Sequence, residues 1–559
     1  MKTRAKKFWY YVSEKKLTIP SAAVILGVTS LFSNVLGMYR ERLIAAKFGA
    51  THMTDIFYAS FRLPDLIFNL LVLGAISSAF IPVFVDYLTE KKEKSASTEV
   101  GNINSELAQK AGEDEANFVA SNFMNFLLVL TIILGIVIFV LARKLVPFLL
   151  PGFFANGQKM ADIDTFETAV TSVRIMVLSP VFFAISAVFG GVLNSHKRFL
   201  AYAMAPLVYN ISIIGALIFL TGKTDPPIYG LIYGVIIGAF MHALIQLPAA
   251  IRAGFRWKPI LDFKNYALPK IIKLMIPRTI TIGVGQINIL VDTIIASYFI
   301  GGITVLNFAN DIQTLPTVVF GIAIATAVFP YLAEQNSKND RKEFLKVFSE
   351  SARKTLYFMI PAAIGLIVLR AQVTRLVFGI GNFSWENTYW TTKALGFFAV
   401  GLIAQGLIPL CIRAFYALKD TKTPLIIGLI VMAVNAIFTV SLPFIPKLGL
   451  GVAGVALAYS IAGVVNIILL FYFLHEKIGA LDRDNRIFAS TARLVLASVV
   501  MGITAHYSLY FFDRFVDTSY VIGLILQTGG AVAVGAITYF GLTHLLGCEE
   551  AGYIFKKTA

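Results

Sequence analysis

Apolar runs of membrane length recur along almost the whole chain, and no other feature of the sequence constrains the fold as strongly. A bilayer core takes roughly 20 apolar helical residues per crossing, and counting on that basis gives about fourteen spans, from 18–47 and 54–88 near the start to 488–510 and 519–546 near the end. Lipid offers backbone amides and carbonyls no partner, so each run is expected as a helix and the fold class as an all-α polytopic membrane protein. Of the 559 residues, 57% are hydrophobic and only 14% charged, whereas a soluble domain carries about 25% charged residues. The net charge of +16 does not point to nucleic acid, because the basic residues lie mainly between spans. The opening "MKTRAKKFWYYVSEKK" is basic but shows no cleavable signal pattern. Cys411 and Cys548 lie in or beside separate apolar runs and read as small buried residues.

Lysine and arginine set an orientation. They concentrate in alternate connections: Lys91, Lys92 and Lys94; Lys197 and Arg198; Arg252, Arg256, Lys258 and Lys264; Lys338, Arg341 and Lys342; Lys419 and Lys422. The connections between these are poor in both, so an even number of spans with both termini cytoplasmic is expected. The polar stretch 89–116 is expected as a mobile cytoplasmic loop or a short amphipathic helix. The stretch "RKLVPFLLPGFFANGQKM" is expected to lie in the membrane interface.

An internal repeat organises the spans. "RLPDLIFNLLVLGAISSAFIPVFVDYL" from Arg62 echoes "TLPTVVFGIAIATAVFPYLAE" from Thr314, both opening on Leu-Pro and closing on an aromatic residue and proline. Upstream, "ERLIAAKFG" matches "DTIIASYFIG" and sets Glu41 opposite Asp292; downstream, Asn210 falls opposite Asn435. Two pseudo-symmetric six-helix lobes follow, residues 1–251 and 252–474, with 475–559 as an added helix pair and tail. Each lobe holds an even number of helices, so the lobes enter the membrane from the same side, an arrangement suited to alternating access around a central cavity.

Charged residues within the first spans mark the candidate site, because a charge facing lipid costs several kcal/mol. Arg40, Glu41, Asp55, Arg62 and Asp65 lie there, with Asn34 among the polar residues that precede them. Asp292 lies deep in span seven, where a carboxylate is protonated, paired or bound to a cation. No HExxH, P-loop or Cys/His cluster occurs, and a non-enzymatic role is expected.

"SNVLGMYRERLIAAKFGATHMTDIFYASFRLPDL", "LGAISSAFIPVF", "ANDIQTLPTVVFGIAIATAVFPYL" and "FYALKDTKTP" resemble the MurJ (MviN) family of lipid II flippases in the MOP exporter superfamily. The resemblance implies two six-helix lobes around a cavity plus two helices that form a lipid-tail groove. It implies transfer of lipid II, the undecaprenyl-diphosphate-linked peptidoglycan precursor, from inner to outer leaflet, by a chain expected to be a monomer. The alternatives are flipping of another polyprenyl-diphosphate-linked oligosaccharide, or cation-coupled export of small molecules. The family's arginine–acid pair falls on Arg40 and Glu41, its helix-two acid on Asp55 and its basic residue before Leu-Pro on Arg62. Three arginines of the family pattern are replaced, by Asn34, Phe68 and Asp311. A sodium ion bound by some members matches Asp292 and Asn435, whereas a second acid of that site is Thr439.

Overall fold

The computed structural model describes residues 19–73, 76–96, 102–154, 163–479, 486–518 and 520–552. The basic residues at 2–16, Arg483, and Lys556 and Lys557 lie outside them. Among the described residues every regular element is helical. Among the described residues twelve helices are long and apolar enough to cross a membrane, and they coincide with the third to fourteenth runs of the sequence. The first two runs fall on α1 (Ile19–Phe48) and on α2 (His52–Ile67) with the helical turns that continue it. Polar residues interrupt both, and neither is among the twelve.

The chain divides into two compact units: residues 1–44 with 52–290, and residues 45–51 with 291–559. The first contains most of α1, then α2, α3 (Ile81–Ala96), α4 (Asn102–Leu149), α5 (Ile163–Met176), α6 (Ser179–Ser195), α7 (Phe199–Phe219), α8 (Ile228–Leu244), α9 (Leu247–Arg252) and the first part of α10 (Ala267–Ala296). The stretch 89–116 is largely helix: α3 runs to Ala96, and α4 starts at Asn102 and continues through the bilayer-length apolar run. After α4 a short 3-10 turn, Pro151–Phe153, occupies the segment expected at the interface. Phe80, Phe123, Leu127, Val188 and Ile271 anchor this unit's core.

The second unit contains the end of α10, then α11 (Gly302–Pro316), α12 (Ala323–Ser337), α13 (Arg341–Phe378), α14 (Trp385–Ala417), α15 (Lys422–Ser441), α16 (Ala453–Ile478), α17 (Arg486–Asp513) and α18 (Val521–Leu545). The last two helices share its core, where Leu494, Met501 and Tyr539 pack with Tyr357 and Phe415. Buried Arg353 of α13 also ties down the chain beyond α18, bonding Glu549 at 2.8 Å and Glu550 at 2.9 Å, and Ser490 donates to Glu550 at 3.1 Å. Cys411 and Cys548 are both buried in this unit.

The repeat has a structural signature. After Leu63-Pro64 the helix opens into a π-helical turn, Phe68–Leu73, and after Leu315-Pro316 it does the same over Thr317–Ile322. Proline lacks the amide of an α turn and crowds the carbonyl four residues earlier, which favours a widened turn. The turns leading into α2 and α11 also match, through left-handed Gly49 (φ 66°) and Gly301 (φ 67°). At Gly301 a Cβ would lie 2.4 Å from the carbonyl oxygen of Ala50, so both conformation and space demand glycine. Residues 45–51 are held within the second unit by Asn382, whose backbone amide donates to Ala46 at 2.8 Å and side chain to Lys47 at 2.7 Å.

Candidate functional site

In the first unit α1 continues helically through Arg40 and Glu41 although both are charged. Adjacent helical residues point about 100° apart, so their pairing has to be imposed from outside the helix. Two other helices impose it. Asn210 of α7 accepts from Arg40 Nη1 at 2.9 Å, and Tyr58 of α2 donates to Glu41 Oε2. Arg40 Nε donates to Glu41 Oε1 at 3.0 Å, and Nη2 reaches the same oxygen. Asn210 is fixed in turn: its Nδ2 donates to the Ser33 carbonyl and hydroxyl, both at 3.3 Å, and to the Pro206 carbonyl at 3.2 Å. Glu41 is almost fully buried, whereas the Arg40 side chain keeps 23% of its surface exposed. The result is a guanidinium whose three nitrogens are held by Glu41 and Asn210, on a side chain that keeps part of its surface exposed.

The remaining residues of the proposed set fall around this cluster unequally. Asp55 is fully buried in the first turn of α2, where a carboxylate is favoured by the helix dipole. Arg62 is half-buried and lies four residues beyond Tyr58, on the same helix face and about 6 Å further along the axis. Asp65 is within Coulombic reach of Arg62, as their spacing suggests. Asn34 is exposed, and its neighbour Ser33 takes the place in the hydrogen-bond network. Tyr58 was not among the candidates read from the sequence, whereas Ser33 is one of the polar residues of the first span expected to line the cavity. For Tyr58 a signal exists: it stands three residues after Asp55 and four before Arg62, on one face of α2.

In the second unit Asp292, near the end of α10, meets Asn435 and Thr439, one turn apart on α15. Asn435 Nδ2 lies 3.3 Å and Thr439 Oγ1 3.0 Å from Asp292 Oδ1. Both α15 residues are buried. Asn435 Oδ1 is buried with no hydrogen-bond partner, an arrangement that costs roughly 1–3 kcal/mol unless something fills it. One carboxylate, one amide oxygen without a partner and one hydroxyl form a hard-oxygen set suited to a small cation. Tyr459 and Gln313 lie beside it. Among the described residues no group of three or more His, Cys, Asp or Glu side chains could hold a metal ion.

A family model described as "Lipid II flippase MurJ" matches residues 44–527. A lipid II flippase MurJ of Burkholderia cenocepacia is 27% identical over 535 residues, covering 95% of this chain and 97% of its own length. A probable lipid II flippase MurJ of Rhizobium meliloti is 31% identical over 540 residues, covering 95% of each. Among solved structures, a lipid II flippase MurJ in an inward closed conformation matches with TM-score 0.72 at 24% identity, over 94% of this chain and 98% of that one. An inward-facing MATE multidrug transporter of the MOP superfamily matches with TM-score 0.60 at 14% identity, over 83% of this chain and 99% of that one, a likeness of fold alone.

Proposed function

Since this chain belongs to the lipid II flippase MurJ family, we infer that it carries lipid II across the bacterial inner membrane as a multi-pass transporter. The transfer runs from inner to outer leaflet, with both termini cytoplasmic and the protein acting as a monomer of two six-helix lobes, 1–251 and 252–474, followed by the helices of 475–559. The observation that carries the site assignment is Arg40, fixed by Glu41 and Asn210 yet partly exposed. A diphosphate is a dense anion, and a guanidinium fork is the side chain that suits it best. In this reading Arg40 and Arg62 hold the diphosphate and Asp55 supports the start of α2. Glu41 and Asn210 position Arg40, and Asn34 contributes a polar contact beside it. The binding face is less cationic than the family pattern, because Asn34, Phe68 and Asp311 stand at arginine positions.

A sodium ion, where it binds, is held by Asp292, Asn435 and Thr439, and supplies a positive charge that neutralises the Asp292 carboxylate. The partnerless Asn435 oxygen supports that assignment, and an amide rotation would turn it toward Asp292. The test is lipid II accessibility at the outer face of cells depleted of their own flippase. The unmodified chain restores it. Arg40→Lys, which keeps the charge beside Glu41 but loses the fork, and Arg62→Ala lower it sharply at unchanged membrane levels of the protein, and transport that survives both substitutions removes the diphosphate-binding roles.

A further inference from the structure

The connection between α9 and α10 has no helix or strand between Arg252 and Ala267, yet its main chain is gripped along its length by α4. Asn117 pairs with both backbone groups of Arg256, accepting its amide at 2.7 Å and donating to its carbonyl at 2.8 Å. Asn122 pairs in the same way with Asp262, at 2.8 Å each. Ser121 bridges the Arg256 carbonyl and the Lys258 amide at 3.2 and 3.3 Å. Asn125 donates to the carbonyls of Lys258 and Ile260 at 2.7 and 2.8 Å and accepts Trp257 Nε1 at 2.8 Å. Pro259 removes one amide that would otherwise need a partner. A segment whose peptide groups are satisfied in this way can leave bulk water without the cost that keeps ordinary loops out of a bilayer's edge.

Its depth follows from α4. The exposed large apolar residues of that helix run from Val129 to Leu141, a band about 18 Å long, before exposed Arg143 and Lys144, and this band lies within the hydrocarbon core. Asn125 lies about 6 Å and Asn117 about 18 Å outside the band's edge. The strap 256–266, between membrane spans Ile228–Arg252 and Ala267–Ala296, therefore dips from the level of Asn117 at Arg256 to that of Asn125 at Lys258 and Ile260, nearest the bilayer, and rises again to Asn122 at Asp262. Its own side chains face away from these backbone bonds. Trp257, Leu261, Phe263 and Tyr266 are 56%, 42%, 55% and 75% exposed, interleaved with exposed Arg256, Lys258 and Lys264. The one acid within it, Asp262, accepts the Lys264 amide at 2.8 Å.

We propose that this strap is a docking surface for the headgroups of anionic phospholipids. The aromatic rings sit at the polar–apolar boundary where Trp and Tyr are favoured, and the cations meet the phosphates. α4 grips the backbone, the Trp257 ring nitrogen and, through Phe126, one edge of the Phe263 ring; the basic side chains, Leu261 and Tyr266 remain exposed and available to lipid.

The test uses the full chain in nanodiscs with Trp257 as its single tryptophan, after Trp9→Phe, Trp385→Phe and Trp390→Phe. Brominated phosphatidylglycerol in a phosphatidylcholine bilayer should quench Trp257 emission more than the same fraction of brominated phosphatidylcholine does. Arg256→Gln, Lys258→Gln and Lys264→Gln together should erase the preference, at roughly fivefold in local enrichment per cation removed. Equal quenching by the two lipids in the unsubstituted strap overturns the proposal, as does a preference that survives the triple substitution. Quenching by neither lipid also overturns it and leaves the strap facing a soluble partner.

Discussion

The two repeats face one electrostatic problem and meet it differently. Each sets an acid from the helix before a glycine turn near an asparagine on a later helix: Glu41 and Asn210 in the first unit, Asp292 and Asn435 in the second. In the first, Arg40 stands between them and its guanidinium bonds both. The residue at the matching place in the second is Val291, and there the asparagine reaches the carboxylate directly with Thr439 beside it. One repeat carries its cation covalently, and the other has a carboxylate met by an amide and a hydroxyl, with the amide oxygen left without a partner. A duplicated scaffold thus gives one half a fixed positive charge and leaves the matching place in the other apolar, at Val291.

The largest effect expected is from Glu41→Gln, which strands Arg40 and should destabilise the protein by about 3 kcal/mol, read as a drop in melting temperature together with loss of flipping. Asn435 and Thr439, which meet Asp292, are neutral, so Asp292→Asn should cost less, about 1 kcal/mol; equal losses at the two sites would break the contrast. Next, sodium should raise the melting temperature of the unmodified chain over choline at equal ionic strength, by up to about 2.7 kcal/mol at a hundredfold excess over Kd. Val291→Arg, which rebuilds the first repeat's arrangement in the second, should abolish that response. A Val291→Arg chain that still answers to sodium would refute the equivalence. Thr439→Asp should sharpen it in the other direction, tightening the sodium response by about tenfold through the added carboxylate.

The smallest effect expected lies at the turns that close α6 and α14. Both turns pass through a left-handed lysine, Lys197 and Lys419, and the following residue is Arg198 in one and Asp420 in the other. Burial raises the Asp420 carboxyl, but the Lys477 ammonium and the Thr423 amide and hydroxyl outweigh it and bring its pKa down to about 2, below the ordinary 3.8. A depressed folded-state value contributes stability above the unfolded value that is lost as pH falls through the folded one. Stability should therefore decline between about pH 4 and pH 2, and Lys477→Met should move that decline upward in an acid-melting series.

Much of this was legible in the sequence because lipid and ring closure leave few options. Twelve of the runs are membrane-length helices because a bilayer permits little else. The repeat was readable from Leu63-Pro64 and Leu315-Pro316, which act through the backbone alone and so leave the same mark in both units. Arg40 and Glu41 stood out because charge in an apolar run is costly. Their partners Tyr58 and Asn210 come from other helices, and hydropathy says nothing of which faces meet. Asn34 illustrates the limit: one residue, about 100° around α1, separates it from Ser33, which joins the network. The long reach of α4 past the bilayer was hidden by its polar first turns, which read as loop until Asn117 to Asn125 are seen gripping a distant segment.

The widened turns after Pro64 and Pro316 each store surplus chain in a membrane helix, and in the first unit a second such turn, Ile76–Phe80, follows. Should any of them tighten by one residue, everything downstream would swivel by about 100° and slide about 1.5 Å, with no bond broken and no loop rearranged. A transporter so built can re-aim one face of a membrane helix by winding in a single slack residue, and it possesses that gear in both units.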